Sequence, residues 1–151
     1  MAEEIKSEKD KAVFVCVKDT LDGAYPALVM GINAARTGME TIIFYSFMGL
    51  NMLLRKGAQK ARFYPPGFLG SVPGMPAIAS AMMKKKVERA NIPSLEDMLE
   101  MVRLEGVKLV ACHMSVEMMA LEQDEFIDGV EVWTAERFMK YAQECKVCLF
   151  T

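Results

Sequence analysis

The sequence predicts an α/β fold, a three-layer α/β/α sandwich with a mainly parallel sheet of four or five strands. Two observations predict it. Short apolar runs rich in β-branched residues, such as 12–17 and 41–47, have the composition of strands buried on both faces of a sheet. Segments with helical spacing and helix-boundary residues lie between such runs, and strands that alternate with helices form parallel sheets.

The first third of the chain predicts one strand–helix–strand unit. The strand at 12–17 is followed by Asp22, a residue type that favours the N-cap of a helix. Gly38 predicts the end of that helix, because glycine adopts the left-handed conformation common after a C-terminus. The strand at 41–47 then follows.

The middle of the chain is less regular. We predict a short helix over 48–60 and a brief strand over 60–64. Residues 65–83 contain no charge, but their four prolines and three glycines argue against a membrane span, since backbone exposed to lipid must be hydrogen-bonded internally. A loop leading into a short helix and the lysines 84–86 is the prediction. Such a long apolar loop needs a cover, from its own domain or from another subunit.

The last third predicts three more strands. Ser94 with Asp97 resembles a capping box and starts a helix that ends at Gly106. A strand over 107–111 follows, with Cys112 at its exit. The remaining predicted elements are a short helix capped by Ser115, a strand at 129–133, a helix capped by Thr134, and a strand at 146–150.

Length and charge set the broad class. The 151 residues suit one domain, which we place at 12–151, after a charged and disordered tail at 1–11. The net charge of −2 gives no support for nucleic-acid binding, which normally requires a basic face. The N-terminal residues have no apolar signal-peptide core, so the expected location is the reducing cytoplasm, where disulfides are rare.

Cys112 is the candidate catalytic residue. Reactive groups gather beyond the carboxyl ends of parallel strands, and a following helix N-terminus stabilises a thiolate. Backbone amides near Met114 and Ser115 would hold the anionic sulfur. His113 is the only histidine and could assist, although adjacent residues leaving a strand often point to opposite sides. On position alone, an ordinary buried cysteine remains an open alternative.

The other cysteines are predicted to be structural. The pair Cys145 and Cys148 has the spacing of a redox pair or half a zinc site, but it lies at a predicted helix end and inside an apolar strand. Zinc would need two further ligands, which His113 and Cys112 could supply only if they lay nearby. Cys16 lies within a strand and is expected in the core. The chain has no phosphate-binding glycine motif, so nucleotide binding has no support from the sequence. The prediction is a protein with no cofactor and no metal.

Several segments resemble the DsrE/DsrF-like family, in its peroxiredoxin-like DsrE subgroup. The most specific segment is the strand and the following Ala-Cys-His-Met-Ser string, residues 106–115. The resemblance covers nearly everything after residue 11, and its other segments are residues 13–22, 42–53, 65–86 and 92–96.

The resemblance implies a sulfur-relay role in an α/β protein that assembles into homo-oligomers, often trimers. The cysteine of the family carries over to Cys112 alone. Such proteins accept sulfane sulfur as a persulfide or related adduct and pass it to a partner protein, for example a TusA-like carrier. Some relatives are attached to membranes, but this chain has no plausible span, so membrane attachment is not expected.

Three functional hypotheses follow. The first is a cytoplasmic sulfur carrier or sulfurtransferase that uses Cys112. The second is a non-catalytic oligomeric binding module, which docks a protein or a membrane surface through the apolar residues 65–83. The third is a dithiol redox protein that uses Cys145 and Cys148.

Overall fold

The structure, a computed structural model that describes residues 8–151, contains one sheet of five parallel strands. The strands are β1 Lys11–Cys16, β2 Glu40–Tyr45, β3 Lys108–Cys112, β4 Glu131–Trp133 and β5 Cys145–Phe150. Their order in the sheet is β4-β3-β2-β1-β5. The predicted α/β class and parallel sheet are confirmed. The first seven residues of the predicted tail lie outside the described residues, and Lys11 already belongs to β1.

Helices connect the strands and cover both faces of the sheet. The α-helices are α1 Leu21–Arg36, α2 Met75–Arg89, α3 Leu95–Leu104, α4 His113–Met118 and α5 Ala135–Ala142. Short 3₁₀ helices span Phe47–Leu53, Ala58–Lys60, Gly67–Ser71 and Gln123–Glu125.

The two faces of the sheet carry separate apolar clusters, because successive strand residues point to opposite sides. On the first face, α1 and α3 pack over a large cluster that includes Phe14, Tyr45 and Leu109. On the second face, α5 covers a smaller cluster in which Phe138 stacks on Phe44 with ring centroids 4.2 Å apart. The members of this second-face cluster are Val13, Val15, Ile42, Phe44, Val110, Cys112 and Trp133.

The helix starts at Ser94 and Thr134 are confirmed. Each hydroxyl accepts a hydrogen bond from the backbone N–H three residues later. The predicted N-cap at Asp22 is wrong, since α1 begins at Leu21 and Asp22 lies in its first turn. The N–H of Leu21 donates to the carbonyl of Arg62 at 2.9 Å, and this contact from a distant segment fixes the earlier start.

The predicted helix over 48–60 is also wrong. The chain forms two short 3₁₀ helices there, and close backbone approaches explain the tighter path. A Cβ at Gly49 would lie 2.2 Å from the carbonyl oxygen of Cys16, and one at Gly57 would lie 1.7 Å from that of Asn51. The predicted strand over 60–64 reduces to a single bridge at Arg62.

The uncharged segment 65–83 forms a 3₁₀ turn and then α2, which is longer than predicted and includes the three lysines. Ser80 is the buried residue of α2, and its hydroxyl accepts from the N–H of Phe63 at 2.8 Å. Large apolar side chains on this segment face outward, among them Phe68, Ile78 and Met82. Within residues 8–151 no helix has the length and apolar character needed to cross a bilayer.

Candidate functional site

Cys112 is the last residue of β3 and also the N-cap of α4. Its backbone is extended, with φ −72° and ψ 121°, and the helix begins at the next residue. The predicted cap at Ser115 is therefore wrong: the strand runs one residue further than expected, and no loop separates it from the helix. This direct transition places the thiol at the exit of a strand near the middle of the sheet.

The side chain of Cys112 lies on the second face of the sheet. It is paired with Trp133 across the β3–β4 ladder and belongs to the same apolar cluster as Phe44 and Val110. Only 9% of the residue is exposed. The thiol therefore sits at the margin of the core, with apolar neighbours that limit access of water.

The first turn of α4 follows directly after the thiol. The first amides of a helix lack intrahelical acceptors, and an N-cap side chain commonly accepts from the second and third of them. These are the N–H groups of Met114 and Ser115. The Cys112 side chain makes no capping hydrogen bond in this structure.

Ser115 has a structural contact that the sequence did not reveal. The side chain is buried, and its Oγ accepts from the N–H of Phe47 at 3.0 Å and lies 3.2 Å from the Oγ of Ser46. These contacts join α4 to the segment that leaves β2. Because β2 and β3 are neighbours in the sheet, Ser115 fixes the two strand exits relative to each other.

His113 is directed to a different partner. Its Nδ1 lies 3.7 Å from a carboxylate oxygen of Glu117, one helical turn later, and both side chains are exposed. Met114 and Met118 are exposed on the same short helix. The structure thus pairs His113 with Glu117 on the outer side of α4.

Phe47 adopts an unusual conformation at the exit of β2. Its φ is +49°, in the left-handed region that bulky residues rarely adopt, and 59% of the residue is exposed. Such strain often marks a functional site. The sequence holds no signal for it, since glycine or asparagine is the usual residue there. The segments after β2 and β3 carry four exposed apolar side chains, Phe47, Met48, Met114 and Met118.

The other three cysteines lie elsewhere. Cys16 is fully buried on the first face, as expected, and burial raises the pKa of its thiol. Cys145 and Cys148 both belong to β5, which β2 and β1 separate from β3. The structure therefore does not bring them to Cys112 or His113. Across residues 8–151, no group of three or more metal-ligating side chains is found.

Comparison with known proteins gives matches along the whole described chain. A model of the DsrE/DsrF/DrsH-like family matches residues 8–150. The sulfur carrier protein DsrE2 of Allochromatium vinosum is 33% identical over 157 residues, which cover 95% of this chain and 99% of that protein. The uncharacterized protein YrkE of Bacillus subtilis is 26% identical over 160 residues, covering 93% of this chain and 96% of YrkE.

Solved structures agree on the architecture. The ychN protein from E. coli has a TM-score of 0.64 at 14% identity and covers 94% of this chain and 99% of its own. The protein MTH1491 from Methanobacterium thermoautotrophicum has a TM-score of 0.55 at 13% identity, with 93% and 99% covered. These two structures show that the fold is shared. The family model and the Allochromatium relative show that this chain belongs to the DsrE/DsrF/DrsH-like family.

Proposed function

We propose that this protein is a sulfur carrier, which holds sulfane sulfur on Cys112 and passes it to a partner protein. The name of the Allochromatium relative, a sulfur carrier protein, supports the sulfur-relay role. The observation that supports Cys112 as the carrying residue is its place at the end of β3 and at the N-cap of α4.

Loading is a thiol exchange. The Cys112 thiolate attacks the outer sulfur of a donor persulfide, R–S–SH. The new S–S bond forms as the old one breaks, so that the products are Cys112–S–SH and the donor thiolate RS⁻. The persulfide then loses its proton to solvent, and the N–H groups of Met114 and Ser115 stabilise the anion. His113 has no step in this scheme.

Delivery is the same reaction in reverse. The thiolate of an acceptor protein attacks the terminal sulfur, and the Cys112 thiolate leaves. Between the two steps the adduct must survive. Neither neighbouring strand, β2 or β4, carries a cysteine that could attack it. The apolar side chains of Phe44 and Trp133 on the same face support this storage by limiting water.

The partners and location follow the family resemblance. The donor and the acceptor are sulfane-sulfur proteins, of which a TusA-like carrier is one candidate acceptor. Transfer through Cys112 makes the protein either a stoichiometric carrier or a sulfurtransferase. The proposed assembly is a homo-oligomer, and a trimer is the oligomeric state to test first. The proposed location is the cytoplasm, where a reducing environment keeps thiols free.

Mass spectrometry tests the proposal. The full chain is incubated with polysulfide, thiosulfate or tetrathionate, and the adduct is located by peptide mapping. We expect an added sulfur on Cys112 that is transferred to an acceptor thiol. Cys112→Ser, which keeps Cys16, Cys145 and Cys148, should lose that adduct. An unmodified Cys112 with every donor, or undiminished transfer by Cys112→Ser, would contradict the proposal.

A second candidate is a non-catalytic binding module, and the exposure of the 65–83 segment favours it. Phe68, Ile78 and Met82 are exposed on a segment whose helix buries only Ser80 among its residues. In this role the segment docks a protein or membrane surface. Size-exclusion chromatography and liposome flotation would show the docking. Cellular function retained in Cys112→Ala but lost in Ile78→Asp would favour this candidate over the carrier.

A further inference from the structure

The C-terminal strand contains a β-bulge that changes the relation between its two cysteines. In the ladder with β1, Lys11 is opposite Cys145 and Ala12 is opposite Val147, so that Lys146 is the extra residue. In a regular strand, residues three apart point to opposite faces of the sheet. A bulge adds one residue to one strand and so resets this alternation.

The packing of the flanking residues shows that the alternation is reset. Cys145 packs against the second-face cluster, whereas Val147, two residues later, packs against the cluster on the first face. Cys148 follows Val147 and is opposite Val13, a member of the second-face cluster. Both thiols therefore lie on the second face.

The spacing of the two thiols follows from the ladder. Their partners, Lys11 and Val13, are two residues apart on β1, so the Cα atoms of Cys145 and Cys148 are separated by about 6.6 Å along the strand direction. The Cα–Cα distance is at least this value, which places the pair at or beyond the upper end of the separations seen in disulfides, so closure draws the two residues together. The strand β5 is at the edge of the sheet with β1 as its one neighbour, which allows a small backbone adjustment.

The two thiols differ in accessibility. Cys148 is exposed, whereas Cys145 is half-buried, and its S–H donates to the carbonyl of Tyr141 at 3.4 Å. Burial, and then the nearby Cys148, raise the pKa of Cys145 to about 11, against a smaller lowering by Lys11. An oxidant therefore meets Cys148 first, and Cys145 is placed to respond.

We propose that Cys145 and Cys148 form a redox-active dithiol, whose substrates are low-molecular-weight disulfides and polysulfides. The Cys148 thiolate attacks a disulfide R–S–S–R, which forms Cys148–S–S–R and releases RS⁻. Cys145 gives its proton to solvent and attacks the Cys148 sulfur, which closes the disulfide and expels the second RS⁻. The two protein thiols lose two electrons, and the substrate is reduced to two thiols.

A sulfane-sulfur donor would react at the same pair with a different product. The Cys148 thiolate attacks the outer sulfur of a persulfide R–S–SH, which forms Cys148–S–SH and releases RS⁻. Cys145 then attacks the Cys148 sulfur of this persulfide, and the products are the Cys145–Cys148 disulfide and hydrogen sulfide. Cys145 and Cys148, which we call the edge pair, thus release the received sulfur as hydrogen sulfide. This inference is independent of the sulfur carried by Cys112, because no step involves that residue.

The test uses Cys112→Ser, which removes the other candidate reactive thiol. The chain is treated with oxidised glutathione or with inorganic polysulfide, alkylated and digested with trypsin. Trypsin cleaves after Lys146, between the two cysteines, so a closed disulfide holds two peptides together. We expect these joined peptides, and with polysulfide one sulfide released per disulfide formed.

Two variants complete the test. Adding Cys145→Ser should leave a stable adduct on Cys148, and adding Cys148→Ser should abolish the reaction. Differential alkylation of the chain without substitutions should show the same oxidation of Cys145 and Cys148. A stable adduct on Cys148 beside a free Cys145, or no reaction at either residue, would overturn the inference. An adduct on Cys112 lies on a different tryptic peptide, so the two proposals fail separately.

Discussion

The strand exit at Cys112 and the edge strand β5 place thiols on the same face of the same sheet. They differ in burial and in whether a second cysteine lies nearby. Cys112 is almost buried, and the strands on either side of it carry no cysteine. Cys148 is exposed and has Cys145 beside it. The fate of a sulfur adduct depends on whether a second thiol can reach it. We therefore expect the isolated thiol to store sulfur and the paired thiols to release it.

The largest expected effect comes from removing the indole that covers Cys112. Trp133 is buried, is paired with Cys112 across the ladder and stacks against Arg137. Trp133→Ala should lower the free energy of unfolding by about 3–5 kcal/mol, measured by urea denaturation. It should also speed the alkylation of Cys112 in the folded protein.

The matched control for this change is Phe150→Ala, which removes an aromatic side chain at the end of β5. Phe150 is 72% exposed, so its loss should change the free energy of unfolding by no more than about 0.5 kcal/mol. Equal destabilisation by the two variants would show that the strand exit is no better packed than the edge.

The second prediction concerns the pH dependence of the edge pair. Burial, the largest cause, raises the pKa of Cys145, whereas the second cause, the charge of Cys148, is absent once Cys148 is in a mixed disulfide. The Cys145 thiolate is therefore scarce at neutral pH, and its concentration increases about tenfold per pH unit below its pKa. Closure of the disulfide should accelerate by more than about tenfold between pH 7 and pH 9. The charged or titratable groups that face Cys145 include Lys11, Glu40, Tyr141, Glu144 and Cys148.

This rate can be measured apart from the first attack. Cys148 is converted to its mixed disulfide with glutathione at acid pH in Cys112→Ser, and the released glutathione is followed after a jump in pH. A rate that does not change with pH would mean that Cys145 is not the resolving thiol.

The third prediction compares two buried serines. Ser115→Ala leaves the N–H of Phe47 without its acceptor and should destabilise the fold by about 1–3 kcal/mol. Ser80→Ala removes a similar acceptor from the N–H of Phe63 and should cost about the same. Only Ser115→Ala should slow the loading of Cys112, since it alone loosens α4. Equal loading rates in the two variants would remove Ser115 from the site.

The smallest expected effect is the release of backbone strain. Phe47→Gly should raise the free energy of unfolding by about 0.5–1 kcal/mol, because glycine adopts a positive φ without the steric cost. Lys56, which is also exposed with a φ of +63°, provides the control away from Cys112. Lys56→Gly should give a similar gain in thermal denaturation. A loss of stability in Phe47→Gly would show that its ring packs in solution.

The sequence was most informative where local patterns decide the structure. Buried strands and the caps at Ser94 and Thr134 follow from side-chain periodicity and local hydrogen bonds. The position of Cys112 at a strand exit follows from the same patterns. The prediction placed the N-cap of α4 at Ser115 rather than at Cys112, because it assumed a loop between the strand and the helix.

The features that escaped prediction depend on contacts between distant segments. The 3₁₀ path after β2 results from the approach of Gly49 to the carbonyl of Cys16. The bulge at Lys146 results from the register of β5 against β1. Glycine at position 49 permits the first feature but does not specify it. No residue type marks the bulge, so the shared face of Cys145 and Cys148 could be recognised only in three dimensions.

Two contacts attach α2 to the rest of the protein, namely the hydrogen bonds between Ser80 and Phe63 and the partly buried side chain of Met83. This limited attachment has a consequence for local stability. A segment with few buried groups opens at a free energy far below that of global unfolding. Amide hydrogens of α2 should therefore exchange with solvent well before those of β2. A protease that cuts at the exposed lysines 84–86 should leave the sheet folded around the nick. We therefore expect α2 to unfold as a separate unit while the sheet that carries the thiols stays folded.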